Sequence, residues 1–370
     1  MKRALFALVF AGCAPPASLP VARAAIAEQR PTESRDAAAR HPRTTAADTI
    51  DLAFVGDVIF GRYQRDGFRP ICADECASPS ALFSEVRPML RADIAVANLE
   101  TPVVRELPST APIETRKVFG ATPAHVALLR EAGFSAVTVA NNHWFDQRFE
   151  GVLSTPALLR EAALVPLGEA VSRAPWVRAV TIERRGVSVA FIAIASVLNS
   201  PLVAGRPMVP FVAVEDIERR VAPVVRATRR EADVVVVIAH WGVEYEREPL
   251  SSQVRAARAL IDAGATLVIG HHPHVLQRIE RYRAGLVAFS LGNFLFDNDE
   301  AQQRETGVLR VSVGRAGVAR AEFTPVWIED RPMLRPVPAR GDRAHRINWS
   351  LISLSVGPSP RERDGVLYWE

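Results

Sequence analysis

Six times between Leu52 and Phe289 a short apolar, mostly β-branched run stops abruptly at a polar cluster. Leu52–Val55 leads into Gly56–Asp57, and Ile94–Ala97 into Asn98 and Glu100. Val137–Ala140 leads into Asn141, Asn142, His143 and Asp146, and Val234–Ala239 into His240 and Glu244. Leu267–Ile269 leads into Gly270, His271, His272, Pro273 and His274, and Val287–Phe289 into Ser290–Asn293. Apolar runs of this length read as buried strands. Open α/β sheets present their ligands beyond the carboxyl ends of such strands, where loops converge. A chain built this way folds as layers of sheet covered by helices, with its chemistry gathered on one edge.

The donor types narrow that chemistry. Five of the eight histidines (143, 240, 271, 272 and 274) fall in these motifs. Core histidines have no packing reason to gather at strand ends, whereas imidazole is a preferred metal ligand. Mixed Asp, Glu, Asn and His donors suit Mn, Zn or Fe better than thiolate-seeking ions. Six or more candidate ligands exceed the need of one tetrahedral ion and point to two divalent ions. Taken singly, each has an ordinary alternative. Asp57 suits a turn, Asn98 and Glu100 a cap, Asn142–His143 a hydrogen-bonded turn, Glu244 a solvated charge, and Asn293 a loop brace. Trp144 reads as wall, and His41, His125 and His345 as surface residues.

Hydrophobic content of 48% supports a large core, and 23% charged residues exclude a disordered chain. The net charge is +4, from 45 Lys+Arg against 41 Asp+Glu, and Lys2 and Lys117 are the only lysines. The arginines are scattered rather than striped, which argues against a nucleic-acid partner.

Met1–Lys2–Arg3 followed by Ala4–Gly12 has the basic and apolar regions of an export signal, placed at residues 1–24. Two endings fit. Phe10–Ala11–Gly12–Cys13 resembles a lipoprotein cleavage site with Cys13 lipidated, and Ala22–Arg23–Ala24 is a small-x-small site. Either exports the mature chain, to the periplasm or to the outer surface of the membrane, where the Cys13 ending would anchor it by lipid. In an oxidising compartment Cys72 and Cys76 read as a small-loop disulfide. Residues 25–48 lack apolar periodicity and read as a flexible tether.

Within residues 49–330 strand-like and helix-like segments alternate, with no internal linker, as one catalytic domain. Helices are expected over Pro79–Arg91, Thr155–Ala163, Val214–Glu231 and Ser251–Ala263. Another is expected over Thr122–Ala132, with Thr122 as N-cap and Gly133 as stop. Val177–Glu183 and Val187–Ala195 read as a hairpin. Residues 331–370 are Pro- and Arg-rich, then weakly patterned, and read as a peripheral C-terminal extension.

The motifs GDVIFGR (56–62), ANLETPV (97–103), VANNHWFDQ (139–147), AHWGVEYEREP (239–249), LIDAGATLVIGHHPHVLQ (260–277) and FSLGNFLFD (289–297) occur in that order. Together they resemble the CapA family of poly-γ-glutamate capsule biosynthesis proteins, which is similar in turn to the calcineurin-like metallophosphatases. The resemblance implies a four-layer α/β/β/α sandwich, two mixed β-sheets flanked by helices, carrying a dinuclear metal site. It implies Asp57, Glu100, Asn142, His240, His272 and His274 as metal ligands. His143, with Asn142, is implied as the group that stabilises the transition state or protonates a leaving group. Asn98, His271, Glu244, Asp146 and Asn293 are further ligand or supporting candidates. Two departures stand out. Ile59 occupies the place of a usual histidine ligand, and GHHPH holds an extra residue, leaving His271 and His272 as alternatives. The implied substrate is an anionic polymer or a phosphoester, with membrane-bound biosynthesis proteins as partners. A non-catalytic, membrane-tethered accessory that binds the polymer is the other reading.

Overall fold

The computed structural model describes residues 49–71, 81–115, 117–174, 176–330, 333–357 and 359–369. The export signal with Cys13, the tether, and the Cys72–Cys76 pair lie outside the described residues.

The chain opens with β1 (Ile50–Val58), the hairpin β2 (Gly61–Gln64) and β3 (Gly67–Pro70), and β4 (Ile94–Leu99). Then follow α1 (Pro123–Ala132), β5 (Ala136–Thr138), α2 (Arg148–Glu161) and β6 (Val165–Leu167). The hairpin β7 (Ala179–Arg184) and β8 (Val187–Ala195) leads to α3 (Ile217–Arg220), α4 (Ala222–Thr228) and β9 (Val234–His240). After α5 (Ser251–Asp262) come β10 (Leu267–His271), β11 (Ile279–Tyr282), β12 (Gly285–Ala288) and β13 (Asn293–Leu295). The short α6 (Ala301–Arg304) precedes the long pair β14 (Glu305–Gly314) and β15 (Gly317–Glu329). The chain closes with β16 (Arg335–Pro338), α7 (Asp342–Leu354), β17 (Arg361–Arg363) and β18 (Val366–Trp369).

Two mixed sheets result. The larger runs β17-β18-β15-β14-β1-β4-β5-β6, with β13 beside β1 and β16 beside β15; the smaller runs β11-β12-β10-β9-β8-β7. Strands β1, β4, β5 and β6 are parallel, as are β8, β9, β10 and β12. Both parallel sets carry near-continuous apolar runs, as strands covered on both faces must.

Three apolar layers hold the sheets. Leu52 and Phe54 of β1 pack between the sheets with Phe191, Val236 and Ile269 of the smaller one. Val126 and Leu129 of α1 and Leu158 and Leu159 of α2 cover the outer face of the larger sheet, against Ala53, Val55 and Ala95. Val225 and Leu260 from α4 and α5 cover the smaller sheet over Val235, Val237 and Val268. Each buried Val, Leu or Phe is worth roughly 1.5–3 kcal/mol. The order is helices, sheet, sheet, helices, the expected four-layer sandwich. No helix among the described residues is long and apolar enough to cross a membrane.

Several elements differ from expectation. No single helix covers 81–91: these residues form turns and one 3₁₀ turn at Arg87–Leu90, where Pro88 removes a backbone donor. Helix α2 starts at Arg148, not Thr155, and Pro156 lies inside it. The helix expected over Val214–Glu231 is broken at Val221, next to Pro223, into a 3₁₀ turn, α3 and α4. Helix α1 and the β7–β8 hairpin stand where the sequence puts them. His125 is not a simple surface residue, because its Nδ1 accepts from the Thr122 N–H and its ring stacks on Phe60. Residues after 330 join the larger sheet through β16 and β18, with Leu367 and Trp369 buried among the residues between the sheets.

Candidate metal centre

The carboxyl ends of the two parallel strand sets meet at one edge of the sandwich. On the larger sheet Asp57 of β1 stands in register with Asn98 of β4, and Asn293 of β13 flanks Asp57 on its other side. On the smaller sheet His271 of β10 stands in register with His240 of β9. Strand register therefore delivers the donors from both sheets to a common buried space, where Asp57, Glu100, His240, His271, His272 and His274 are at most 4% exposed.

Two groups of donors could hold a metal. Asp57, Glu100 and His274 offer atoms within 4.8 Å of one another, as do Glu100, His240 and His272. Glu100 belongs to both. Both its carboxylate oxygens are buried without a hydrogen-bond partner, as is Nδ1 of His272. A bare buried carboxylate is costly to desolvate, and a cation on either side supplies the missing interaction. The donor set and these orphaned atoms fit two divalent ions, which the two groups sharing Glu100 would hold.

The loop geometry explains the spacing that sequence leaves open. His272 and His274 adopt left-handed φ values of 99° and 59° around Pro273, which turns both rings inward. Such backbone costs of order 1–3 kcal/mol per non-glycine residue and persists where surroundings enforce it. Here the His272 N–H donates to Asp57 Oδ2 over 3.3 Å. His272 joins the Glu100–His240 group, while His271 Nδ1 lies 3.0 Å from Asp57 Oδ1. Ile59 is buried against Phe119 and Phe296.

The remaining candidates surround these groups. Asn98 Nδ2 donates to Asp57 Oδ1 (2.8 Å) and lies 3.3 Å from His240 Nδ1, so it orients both. Asn142 Oδ1 is 2.8 Å from His240 Nε2, at the edge of the second group. Asn293 Oδ1 is 2.9 Å from His274 Nδ1, while its amide donates to the His274 and Gln303 carbonyls. It braces the loop and aims the ring together. His143 Nδ1 donates to Asp146 Oδ2 (2.7 Å), and its Nε2 faces Glu100 Oε1 at 3.8 Å. Glu244 is half-buried and belongs to neither group; its charge acts on His274.

Charge follows the geometry. Burial opposes ionisation of Asp57, but His271 and His274 together hold its carboxyl well below the usual range. Burial alone would lower His274, yet Glu100 and Asp57 raise it to about 9. His272, buried and beside His240 and His274, is held well below its ordinary value. Burial raises Asp146 despite its bond from His143.

Sequence reasoning misses several residues at this site. Asn199, from the loop after β8, places Nδ2 3.2 Å from His143 Nε2 and accepts from Asn142 Nδ2 at 3.2 Å. Phe119 stacks on His143 at 4.1 Å. Phe119 follows no β-branched run, and Asn199 stands four residues past the end of β8 with no polar cluster before it.

The four-layer sandwich, with two carboxylate–histidine groups where its strand ends meet, has the metallophosphatase-like fold that the motifs imply. The chain belongs to the bacterial capsule synthesis protein PGA_cap family, whose profile matches residues 51–298. It is 30% identical over 307 residues to the PGA biosynthesis protein CapA of Bacillus subtilis (strain 168), spanning 81% of this chain and 76% of that protein. It is 28% identical to the capsule biosynthesis protein CapA of Bacillus anthracis over 291 residues, 76% of this chain and 68% of that one. Among solved structures it aligns with the Thermus thermophilus sulfate thiohydrolase SoxB at 14% identity, over 85% of this chain and 61% of that one. The TM-score of that alignment is 0.39, too low to bear on the site.

Proposed function

We propose that the protein is an exported, metal-dependent hydrolase that acts on poly-γ-glutamate. The observation that carries this reading is Glu100, a buried carboxylate with both oxygens unpartnered, shared by two groups of ligand atoms. Asp57, Glu100 and His274 would hold one divalent ion, and Glu100, His240 and His272 with Asn142 the other. Bound there, such ions lower the pKa of water and polarise a scissile carbonyl or phosphoryl group.

The chain's own groups then handle the proton. Asp146 accepts the Nδ1–H of His143, which fixes the tautomer and leaves Nε2 facing the site. As water adds to the γ-carbonyl carbon, His143 Nε2 takes a proton from it, and when the C–N bond breaks that proton passes to the departing amine. The products are a γ-carboxylate and a free amino group. Asn199 and Asn142 hold the His143 side of the cleft, and Asp57, fixed as an anion, completes the charge on the other.

Family membership and the names of the two Bacillus relatives support the polymer, and the basic, apolar N-terminal region supports export. The test is metal content by elemental mass spectrometry beside turnover of γ-glutamyl amides and phosphoesters. About two ions per chain are expected, lost in Asp57→Ala and Glu100→Gln. His143→Ala is expected to keep its metal and lose turnover by about a hundredfold or more. A metal-free protein that binds the polymer and cleaves nothing would favour the accessory role instead.

A further inference from the structure

Beside the metal centre lies a wall made of side chains other than its candidate ligands. Residues 117–121 run along β2, where the Tyr63 N–H donates to the Val118 carbonyl at 2.9 Å. Asp146 and Gln147 clamp this segment from the other side. The Phe119 N–H donates to Asp146 Oδ2 (2.7 Å), and Gln147 Nε2 donates to the Phe119 carbonyl (2.6 Å). The clamp sets Phe119 on His143 and edge-on to Phe296, which packs 4.8 Å from His274. The Arg62 guanidinium covers both phenyl rings, 5.5 and 5.7 Å from their centroids. It pairs with Asp297, and its Nε is buried without a partner.

Lys117 stands next to this stack. It is the only lysine in the chain besides Lys2, in a protein whose other cations are arginines. Its Nζ donates to Tyr245 Oη at 3.3 Å, and the Tyr245 ring lies 6.2 Å from that of His274. Tyr245 is fixed in a left-handed conformation (φ 69°) by its N–H bond to the Pro273 carbonyl, 2.7 Å away. Lys117 also acts on Asp297. Arg62 and Lys117 thus share the Asp297 carboxylate, while Asp146 is engaged by His143 and the Phe119 N–H and Glu244 acts on His274.

We infer that Lys117, positioned by Tyr245 and backed by Arg62, binds a substrate carboxylate on the leaving-group side of the metal centre. The inference rests on the poly-γ-glutamate reading above. In a γ-linked chain, the carbon bonded to the scissile nitrogen itself bears a free carboxylate. The amine that His143 protonates therefore arrives with an anion attached, and Phe119 joins His143 to the cationic wall that would receive it. A flexible ammonium suits a carboxylate that moves as the amine departs, whereas the stacked Arg62 fork is held in place. The subsite selects α-carboxylate-bearing amides over simple phosphoesters.

The experiment is fluorescence anisotropy with a labelled γ-linked glutamate oligomer, read before turnover, on the purified full chain. Lys117→Gln is expected to weaken binding about tenfold and to flatten its salt dependence, as loss of a charge-assisted contact should. Lys117→Arg is expected to recover most of the affinity. An oligomer with its carboxylates converted to carboxamides is expected to bind wild type and Lys117→Gln alike. Equal affinity of wild type and Lys117→Gln for the acidic oligomer would overturn the inference. So would a difference that persists with the carboxamide, or a wild type that does not bind. Lys117-dependent binding without cleavage of any bond would sink the hydrolase reading and leave this subsite standing.

Discussion

At the scale of single residues, the site is an arrangement of charge waiting for cations. Asp57 is held ionised and His274 is lifted to about 9, so without metal the two form a buried ion pair. A histidine must be neutral to ligate, so metal uptake at neutral pH must expel the His274 proton. Below about pH 9 the apparent metal affinity is therefore expected to rise roughly tenfold per pH unit, and above it to level off. Metal titrations by calorimetry in buffers of different ionisation enthalpy would count the released proton; no proton release at pH 7 contradicts this account. Asp146 is the second test. Asp146→Asn keeps the side-chain shape but not the carboxylate that orients His143. Turnover should fall about a hundredfold with metal content unchanged. Much of this is legible in the chain, because GHHPH, NNHWFD and NLE put their donors within a few residues of a buried strand. Asn199, Lys117 and Arg62 are not legible. Their roles come from long-range folding, with Asn199 and Lys117 in loops and Arg62 on β2, and no local spacing announces that.

At the scale of elements, strand ends do the positioning, and two of them depend on the absence of a side chain. A methyl group at Gly270 would collide with the Phe289 carbonyl, and one at Gly56 with the Gly292 carbonyl. Neither obstacle is a side chain that can turn away, so the backbone itself must move. Gly270→Ala is expected to cost about 3 kcal/mol in denaturant unfolding and to displace the HHPH loop from Asp57. An alanine variant with an unchanged midpoint and full metal content would show that the strands can separate freely here. Buried strands announce themselves through continuous Val, Ile and Ala. The helices are harder to bound: Pro156 looks like a start but sits inside α2, and Pro223 next to Val221 splits what periodicity alone presents as one helix.

At the scale of the molecule, the candidate metal centre lies where two sheets meet. The larger sheet brings Asp57, Glu100 and Asn142, and the smaller brings His240, His272 and His274, so relative sheet movement would separate the donors within each group. The C-terminal strand bears on that alignment. Trp369 ends β18 in the larger sheet, yet its Nε1 donates to the Ile279 carbonyl of β11 in the smaller one at 3.2 Å. Arg281 of β11 donates to the Trp369 carbonyl at 3.4 Å. The weak patterning after residue 330 conceals this staple, because a single tryptophan carries no periodicity. Trp369→Ala removes a large side chain that is 3% exposed, and should cost about 3–5 kcal/mol. Trp369→Phe keeps most of the packing and should cost roughly 1 kcal/mol for the lost hydrogen bond. If the sheets are held in register from this far edge, Trp369→Ala should also weaken metal binding at temperatures where the protein is still folded, though Trp369 touches no ligand. Measuring metal affinity and thermal midpoint together separates the cases: a lowered midpoint with unchanged affinity would mean that the strand-end loops alone fix the site.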